Sequence, residues 1–293
     1  MATVLITGAS SGLGMAAALA FARRNDTVYA TVRSQAKAAG LRERAARENL
    51  ELHTRILDVT RTETFPGLVD DIVNETGRID VLVNNAGIIH PGAWEDLTET
   101  AAREVMETNF FGPMFLSRAV LPQMRSQGGG CIIMISSLSG LAGLAGDVAY
   151  TASKFALEGA TEALRHEVDR WGIRVALVEA GQYATDLFSG KDELPQDYPP
   201  DSPYRPLVTS KLRELRDGKP RAMPAANVGD LLPHIADSDG SQLRWAADDV
   251  ARHVLRMAHG LSDSERDAFL RGASGSDWWS RGETRPDTAG SDD

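Results

Sequence analysis

Short apolar runs alternate with helical patterns from Thr3 to about Gly181, and this alternation constrains the fold more than any other feature of the chain. The runs are Thr3 to Thr7, Thr27 to Val32, Leu52 to Leu57, Ile79 to Val83, Ile132 to Ile135 and Ile173 to Val178. Several are apolar at successive positions, the pattern of strands buried on both faces. Between them lie an Ala-rich helix ending near Arg24, a charged one over about Ala36 to Glu48, one over about Thr62 to Thr76, a long one over Glu99 to Gln127, and one from Tyr150 to about Trp171. Strand and helix in strict succession imply an α/β fold: a doubly wound, mostly parallel sheet of Rossmann type with right-handed crossovers. With 42% hydrophobic residues in 293, the chain has the material for one large core.

The remaining composition excludes classes of function. A formal net charge of −10 disfavours a phosphate-backbone partner, so no nucleic acid is expected. No apolar run approaches the roughly 18 residues of a membrane span, and the N-terminus enters a strand pattern with no basic leader. Cys131 is the single cysteine, which forbids an internal disulfide and fits a cytoplasmic protein. The six histidines lack ligand spacing, so no protein-built metal site is expected.

In open parallel sheets, ligands bind where loops leave the C-terminal strand ends. The first strand runs into Gly8-Ala9-Ser10-Ser11-Gly12-Leu13-Gly14 and then a helix, which is the order needed to bring backbone and helix N-terminus onto a pyrophosphate. A tight turn without ligand is the plainer account, and three glycines at fixed offsets argue against it. Arg33 follows the second strand, nineteen residues past Gly14, where an acid would hold a ribose 2′-hydroxyl or an arginine a 2′-phosphate. Thr31 to Ser34 offers no carboxylate and one guanidinium, with Ser11 as a hydroxyl partner, which points to NADP(H). Asp58-Val59 ends the third strand, and Asn84-Asn85-Ala86-Gly87 ends the fourth. These suit a ligand-lining turn, and equally a turn alone.

Ser136-Ser137 ends the fifth strand, and Tyr150 and Lys154 follow on one helical face, four residues apart. A phenol needs a neighbouring cation to act in proton transfer at neutral pH, and an ammonium one turn away is such a cation. Ser137 adds a hydroxyl able to hold a substrate oxygen. Together they form a proton-transfer site for an alcohol or a carbonyl, although Tyr-x-x-x-Lys alone is common by chance. Asn109 sits in the interior of a helical pattern that asparagine disfavours, a local inconsistency of the kind found at functional sites.

Composition changes after Gly181. Eight prolines lie between Asp192 and Pro233, with one helical patch over Val208 to Arg216, so residues 182–245 read as a substrate lid within a domain spanning 1–271. Leu194, Tyr198, Tyr204, Leu207, Leu212 and Leu215 would let that lid cover a medium or large apolar ketone, steroid- or polyketide-like. A helix over about Asp248 to His259 and a short strand near Ala268 to Leu270 close the domain, and residues 272–293 form a polar tail that frays unless Trp278-Trp279 docks on a partner.

Jointly these segments resemble the compact, single-domain branch of the short-chain dehydrogenase/reductase family. Thr7 to Gly14 is similar to its cofactor turn, Asn84 to Gly87 to its fourth-strand motif, and Tyr150 to Lys154 to its active-site motif. The resemblance implies Tyr150 as general acid/base, Lys154 lowering its pKa and holding the nicotinamide ribose, Ser137 binding the substrate oxygen and Asn109 supporting a water-mediated proton relay. It further implies Asp58 and Val59 beside the adenine, and Asn85, Ala86, Gly87, Gly181, Tyr183 and Thr185 lining the cofactor. Ala180-Gly181 replaces the family's usual Pro-Gly, and its C-terminal Val-Asp-Gly-Gly is absent, so the end looks more like hydroxysteroid- and retinol-type reductases. A homodimer or homotetramer packing the Glu99–Gln127 and Tyr150–Trp171 helices is the implied assembly. The expected function is hydride transfer between NADP(H) and a ketone or secondary alcohol. The alternative is a non-catalytic NADP(H)-sensing or scaffold protein of the same fold, disfavoured by the intact set of Asn109, Ser137, Tyr150 and Lys154. Epimerisation or dehydration would call for a larger substrate domain than this chain has.

Overall fold

The computed structural model describes residues 1–185, 187, 193–195, 198–218 and 222–284. Its sheet has seven strands in the order β3-β2-β1-β4-β5-β6-β7, all pairs parallel. They are β1 (Thr3–Ile6), β2 (Thr27–Val32), β3 (His53–Ile56), β4 (Val81–Asn84), β5 (Gly130–Ile135), β6 (Ile173–Glu179) and β7 (Arg244–Ala246). The first six are those expected from the apolar runs. Strand order reverses between β1 and β4, which opens the crevice at their C-terminal ends.

Successive residues of the central strands feed two cores. Val4, Ile6, Val81, Val83, Ile133 and Val178 face one side. There they meet α1 (Gly12–Arg23), α2 (Gln35–Arg47) and α8 (Ala226–Asp237). Leu5, Leu82, Ile132, Met134 and Leu177 face the other. They meet α3 (Phe65–Thr76), α5 (Gly112–Ser126) and α6 (Val148–Val168). That double burial is why the runs are apolar at every position rather than every second one.

The long helix expected over Glu99 to Gln127 is interrupted. α4 (Glu99–Met106) and α5 are joined by a wide π-type turn over Glu107–Phe111, closed by Gly112 N–H donating to Glu107 O, with Asn109 at its centre. The asparagine is accommodated because the backbone around it leaves α geometry.

Three expectations for the C-terminal third are corrected. The segment read as a lid over 182–245 is divided: α7 (Arg205–Gly218) packs Val208 and Leu212 against Ala93 in the loop after β4, whereas α8 buries Val228, Leu232 and Ile235 in the core, and Arg244–Ala246 is the sheet's edge strand. Proline density hid this, because Pro233 sits inside α8 without removing its apolar stripe. Ala268 to Leu270 is not a strand but part of α10 (Asp263–Ala273), started by a capping box of Ser262 and Glu265 that follows α9 (Asp249–Gly260). The start of the tail does not fray: α11 (Asp277–Ser280) buries Trp278, and Trp279 lies 6.3 Å from the Tyr204 ring. Residues 285–293 fall outside the described part.

α8 approaches α1 closely enough that a Cβ on Gly229 would lie 2.7 Å from the Ala16 carbonyl carbon and oxygen. Backbone cannot yield as a flexible side chain does. We expect Gly229→Ala to lower unfolding free energy by about 1–3 kcal/mol in denaturant titrations, with no change in the denaturant dependence.

Candidate active site

The site is assembled at the C-terminal strand ends. Thr7, just past β1, ties two turns together: its Oγ1 accepts from Asn85 N at 2.9 Å and Ala86 N at 3.0 Å, and Asn85 Nδ2 returns a bond to Thr7 O at 2.9 Å and one to Gly8 O at 3.1 Å. A Cβ on Gly14 would stand 2.4 Å from Asn85 Nδ2 and 2.5 Å from Gly8 O, so only glycine fits there. Gly12 adopts φ +55° with Thr185 against it, a conformation and a closeness that again require glycine.

These turns line one side of a cleft of about 340 Å³. Of the residues expected at a cofactor site, Gly8, Ser10, Ser11, Gly12 and Leu13 line it from the first turn, Arg33, Asp58 and Val59 from the second and third strand ends, and Asn85, Ala86 and Gly87 from the fourth. Gly181, Tyr183 and Thr185 close it from beyond β6. Gly14 does not reach the cleft; it acts from behind as a spacer. The lining suits a dinucleotide on its own chemistry. Ser11 precedes α1 without spending its side chain on a cap, and the first turn of α1 holds no acidic residue, so hydroxyl and helix N-terminus are available to an anion.

Lys37 also lines the cleft, from the first turn of α2, beside Arg33. Sequence reading missed it, since the lysine lies beyond the strand end searched for a specificity residue; its place three residues past the N-cap Ser34 was the available signal. Ile88, Thr108, Ser136 and Leu187 are further lining residues that no motif marked. Burial works against Asp58 ionising, but bonds from Thr60 N–H and Oγ1, with Arg33 and Arg61 nearby, hold its carboxyl below the usual range.

The far end of the cleft holds Ser137, Tyr150 and Lys154. The Ser137 hydroxyl accepts from Ser139 N at 3.2 Å and faces the Tyr150 phenol. Burial pushes Tyr150 up to about 12, against the Ser137 bond that lowers it and with the Asp147 charge adding to the rise. The phenol is therefore protonated at neutral pH. Lys154 Nζ donates to Ile135 O at 2.8 Å and lies 5.7 Å from the Tyr150 ring centroid. Burial brings Lys154 down to about 8, opposed by Glu158 and Glu179. Asn109 lies beneath rather than on the cleft wall: Oδ1 accepts from Ile88 N at 2.8 Å, and Nδ2 donates to Ile88 O at 2.9 Å and to Ser153 Oγ at 3.1 Å. It clasps the β4 loop to α6 through the π-type turn.

The Gly181–Thr185 turn is fixed by Asp248, the N-cap of α9, which accepts from Tyr183 OH at 2.8 Å. Among the described residues no group of His, Cys, Asp and Glu could hold a metal ion, and no helix is long and apolar enough to cross a membrane.

The family model for short chain dehydrogenases matches residues 2–195. The chain belongs to the short-chain dehydrogenase/reductase family. Its members are oxidoreductases that act on CH–OH groups of small molecules with NAD(P). Similar members include a 3-ketodihydrosphingosine reductase of Bacteroides thetaiotaomicron, 34% identical over 88% of this chain and 98% of that protein. Another is retinol dehydrogenase 8 of Bos taurus, 41% identical over 64% of this chain and 61% of its own length. A short-chain dehydrogenase from Streptomyces avermitilis has a solved structure that superposes with a TM-score of 0.76, at 34% identity, over 96% of this chain and 97% of that one. A metagenomic short-chain oxidoreductase solved with NADP shares the fold, with a TM-score of 0.66 at 24% identity over 84% of this chain and 96% of its own.

Thr7→Val keeps the shape at the β1–β4 junction and removes the acceptor of two backbone N–H groups. We expect a loss of about 1–3 kcal/mol in unfolding free energy, measured by chemical denaturation.

Proposed function

We propose that the protein is an NADP(H)-dependent carbonyl reductase acting on medium-to-large apolar ketones, and in reverse a secondary-alcohol dehydrogenase. The observation that carries the reading is the buried Tyr150 phenol with Ser137 and Lys154 at one end of a cleft whose other end is a glycine turn on a helix N-terminus. When bound, the nicotinamide cofactor supplies the hydride. Gly8 to Gly12 and the first turn of α1 hold its pyrophosphate, and Arg33 with Lys37 holds a 2′-phosphate. Ser137 donates to the substrate carbonyl oxygen, and Tyr150 gives that oxygen its proton as negative charge develops on it. Lys154, as an ammonium, favours release of the phenolic proton. Asn109 acts by keeping Ile88 and Ser153 in place.

The substrate class is supported by Ile88 and Leu187 on the cleft wall and by relatives named for a ketosphingosine and a retinol. Most of the lid side chains first offered to a ketone have another occupation. Tyr198, Val208 and Leu212 pack with Ala93, Leu194, Tyr204 and Leu215 in a small core of the lid's own. That core is fastened by Tyr198 OH to Asp96 at 2.5 Å and Ser202 Oγ to Asp96 at 2.6 Å. For assembly, Phe155 on α6, 41% exposed, and the half-exposed Trp171 after it are the apolar side chains we assign to a homodimer or homotetramer contact.

Three measurements test the reading. Tyr150→Phe should bind cofactor normally and lose at least about 100-fold in turnover; near-normal turnover would remove Tyr150 as the proton donor. Arg33→Asp should shift cofactor preference toward NAD(H), and Lys37→Glu should shift it in the same direction, read from the ratio of kcat/KM for the two cofactors. Reductive kcat/KM should decline as pH rises through about 8, the midpoint of Lys154, because the ammonium is lost while Tyr150, near 12, still carries its proton.

A further inference from the structure

Beneath Lys154 lies a second group of charges that the proposed reaction does not use. Glu179, the last residue of β6, is fully buried, and among the described residues neither of its carboxyl oxygens has a donor. Glu158, one turn beyond Lys154 on α6, is 5% exposed; its Oε2 accepts from Arg244 Nε at 2.9 Å, and its Oε1 has no donor either. The two carboxyl groups face each other from adjoining elements, α6 and β6, and Glu158 raises the cost of ionising Glu179. As two carboxylates they would present unpaired oxygens, with like charges, in a site closed to water, which is strongly disfavoured. One proton between them turns the same contact into a strong O–H···O⁻ bond.

The placement of the cations selects the same state. The group contains Lys154 and Glu158 from α6, Glu162 one turn further on, Glu179 from β6 and Arg244 from β7, whose Nη2 donates to Glu162 Oε2 at 2.9 Å. Ser136 Oγ and Gly140 close it from the end of β5; a Cβ on Gly140 would sit 2.8 Å from that hydroxyl and 3.3 Å from Glu158 Oε1, so nothing larger than glycine fits. Arg244 is spent on Glu158 and the half-exposed Glu162, and Lys154 Nζ donates to Ile135 O, so neither cation is bonded to Glu179. Both acids protonated would leave Lys154 without a buried counter-charge.

We propose that Glu158 and Glu179 share a single proton and together hold one negative charge under Lys154, a positioning site that keeps the lysine an ammonium in the dry interior. Glu179 is the acid and Glu158 the carboxylate, since Arg244 binds Glu158. Burial and the facing Glu158 push the Glu179 carboxyl far above its ordinary range, in keeping with that assignment. The role rests on the reading of Lys154 given above, and the tests are chosen to work on ligand-free protein without any assay of turnover.

In infrared difference spectra at about pH 7, where exposed carboxyls are ionised, we expect the carbonyl-stretching band of a protonated, buried acid in the unmodified protein and its loss in Glu179→Gln. Absence of the band in the unmodified protein, or its survival in that variant, overturns the shared proton. Lys154 is one of five lysines, so its ¹³Cε resonance can be assigned by comparison with Lys154→Met and followed through a pH titration. Glu158→Gln/Glu179→Gln, which removes the negative charge, should lower the Lys154 midpoint by at least about one pH unit. Glu179→Gln alone, which keeps that charge, should move it by less than about half a unit. Equal midpoints in the double variant and the unmodified protein would overturn the coupling to Lys154. The infrared comparison needs only the single variant, and so decides the shared proton even where the double variant does not fold. Failure of the reductase reading would appear separately, as unchanged turnover in Tyr150→Phe.

Discussion

The cleft exists because β1 and β4 are held at one distance and one register at the point where strand order reverses. Thr7 and Asn85 set that distance by a reciprocal set of bonds in which each side chain satisfies the other turn's backbone. With the turns so close, no Cβ fits at Gly14, and the glycine turn is forced to present its backbone to the crevice. The position of the helix N-terminus, and of everything an anion would touch, follows from this junction.

Burial is the second organising effect, and it works on the acid and the base in opposite directions. It raises the phenol of Tyr150 and lowers the ammonium of Lys154, because in both cases the charged form is disfavoured. A protonated phenol is the form needed to deliver a proton to a carbonyl oxygen, so under the proposed function desolvation prepares the reductive direction. The lysine must be defended against the same effect, and the acids below it supply the opposing charge. Active-site chemistry and the polar interior of the sheet edge are therefore one electrostatic unit, joined by Arg244 across β7.

Much of this was legible in the sequence. Six strands were readable because burial on both faces leaves uninterrupted apolar runs, and the glycine turn, Tyr150, Lys154 and Ser137 were readable because their chemistry demands fixed residue types. Asn109 was conspicuous as a misfit, although its side chain proves to clasp Ile88 and Ser153 from below the cleft. The C-terminal third was not legible in the same way. β7 has only three residues, all partly exposed, too short to carry a period. α8 was masked by Pro233 and the prolines before it, and α10 by a short apolar run that reads as a strand. Glu158, Glu179 and Lys37 belong to no local motif, and only the tertiary arrangement brings the two acids together under the lysine.

The most direct test of the account is a titration of the purified, cofactor-stripped protein with NADPH and, separately, with NADH, following nicotinamide fluorescence. The account predicts saturable binding of both with NADPH clearly the tighter, as a 2′-phosphate between Arg33 and Lys37 requires. Binding of neither, or equal or tighter binding of NADH, would contradict it.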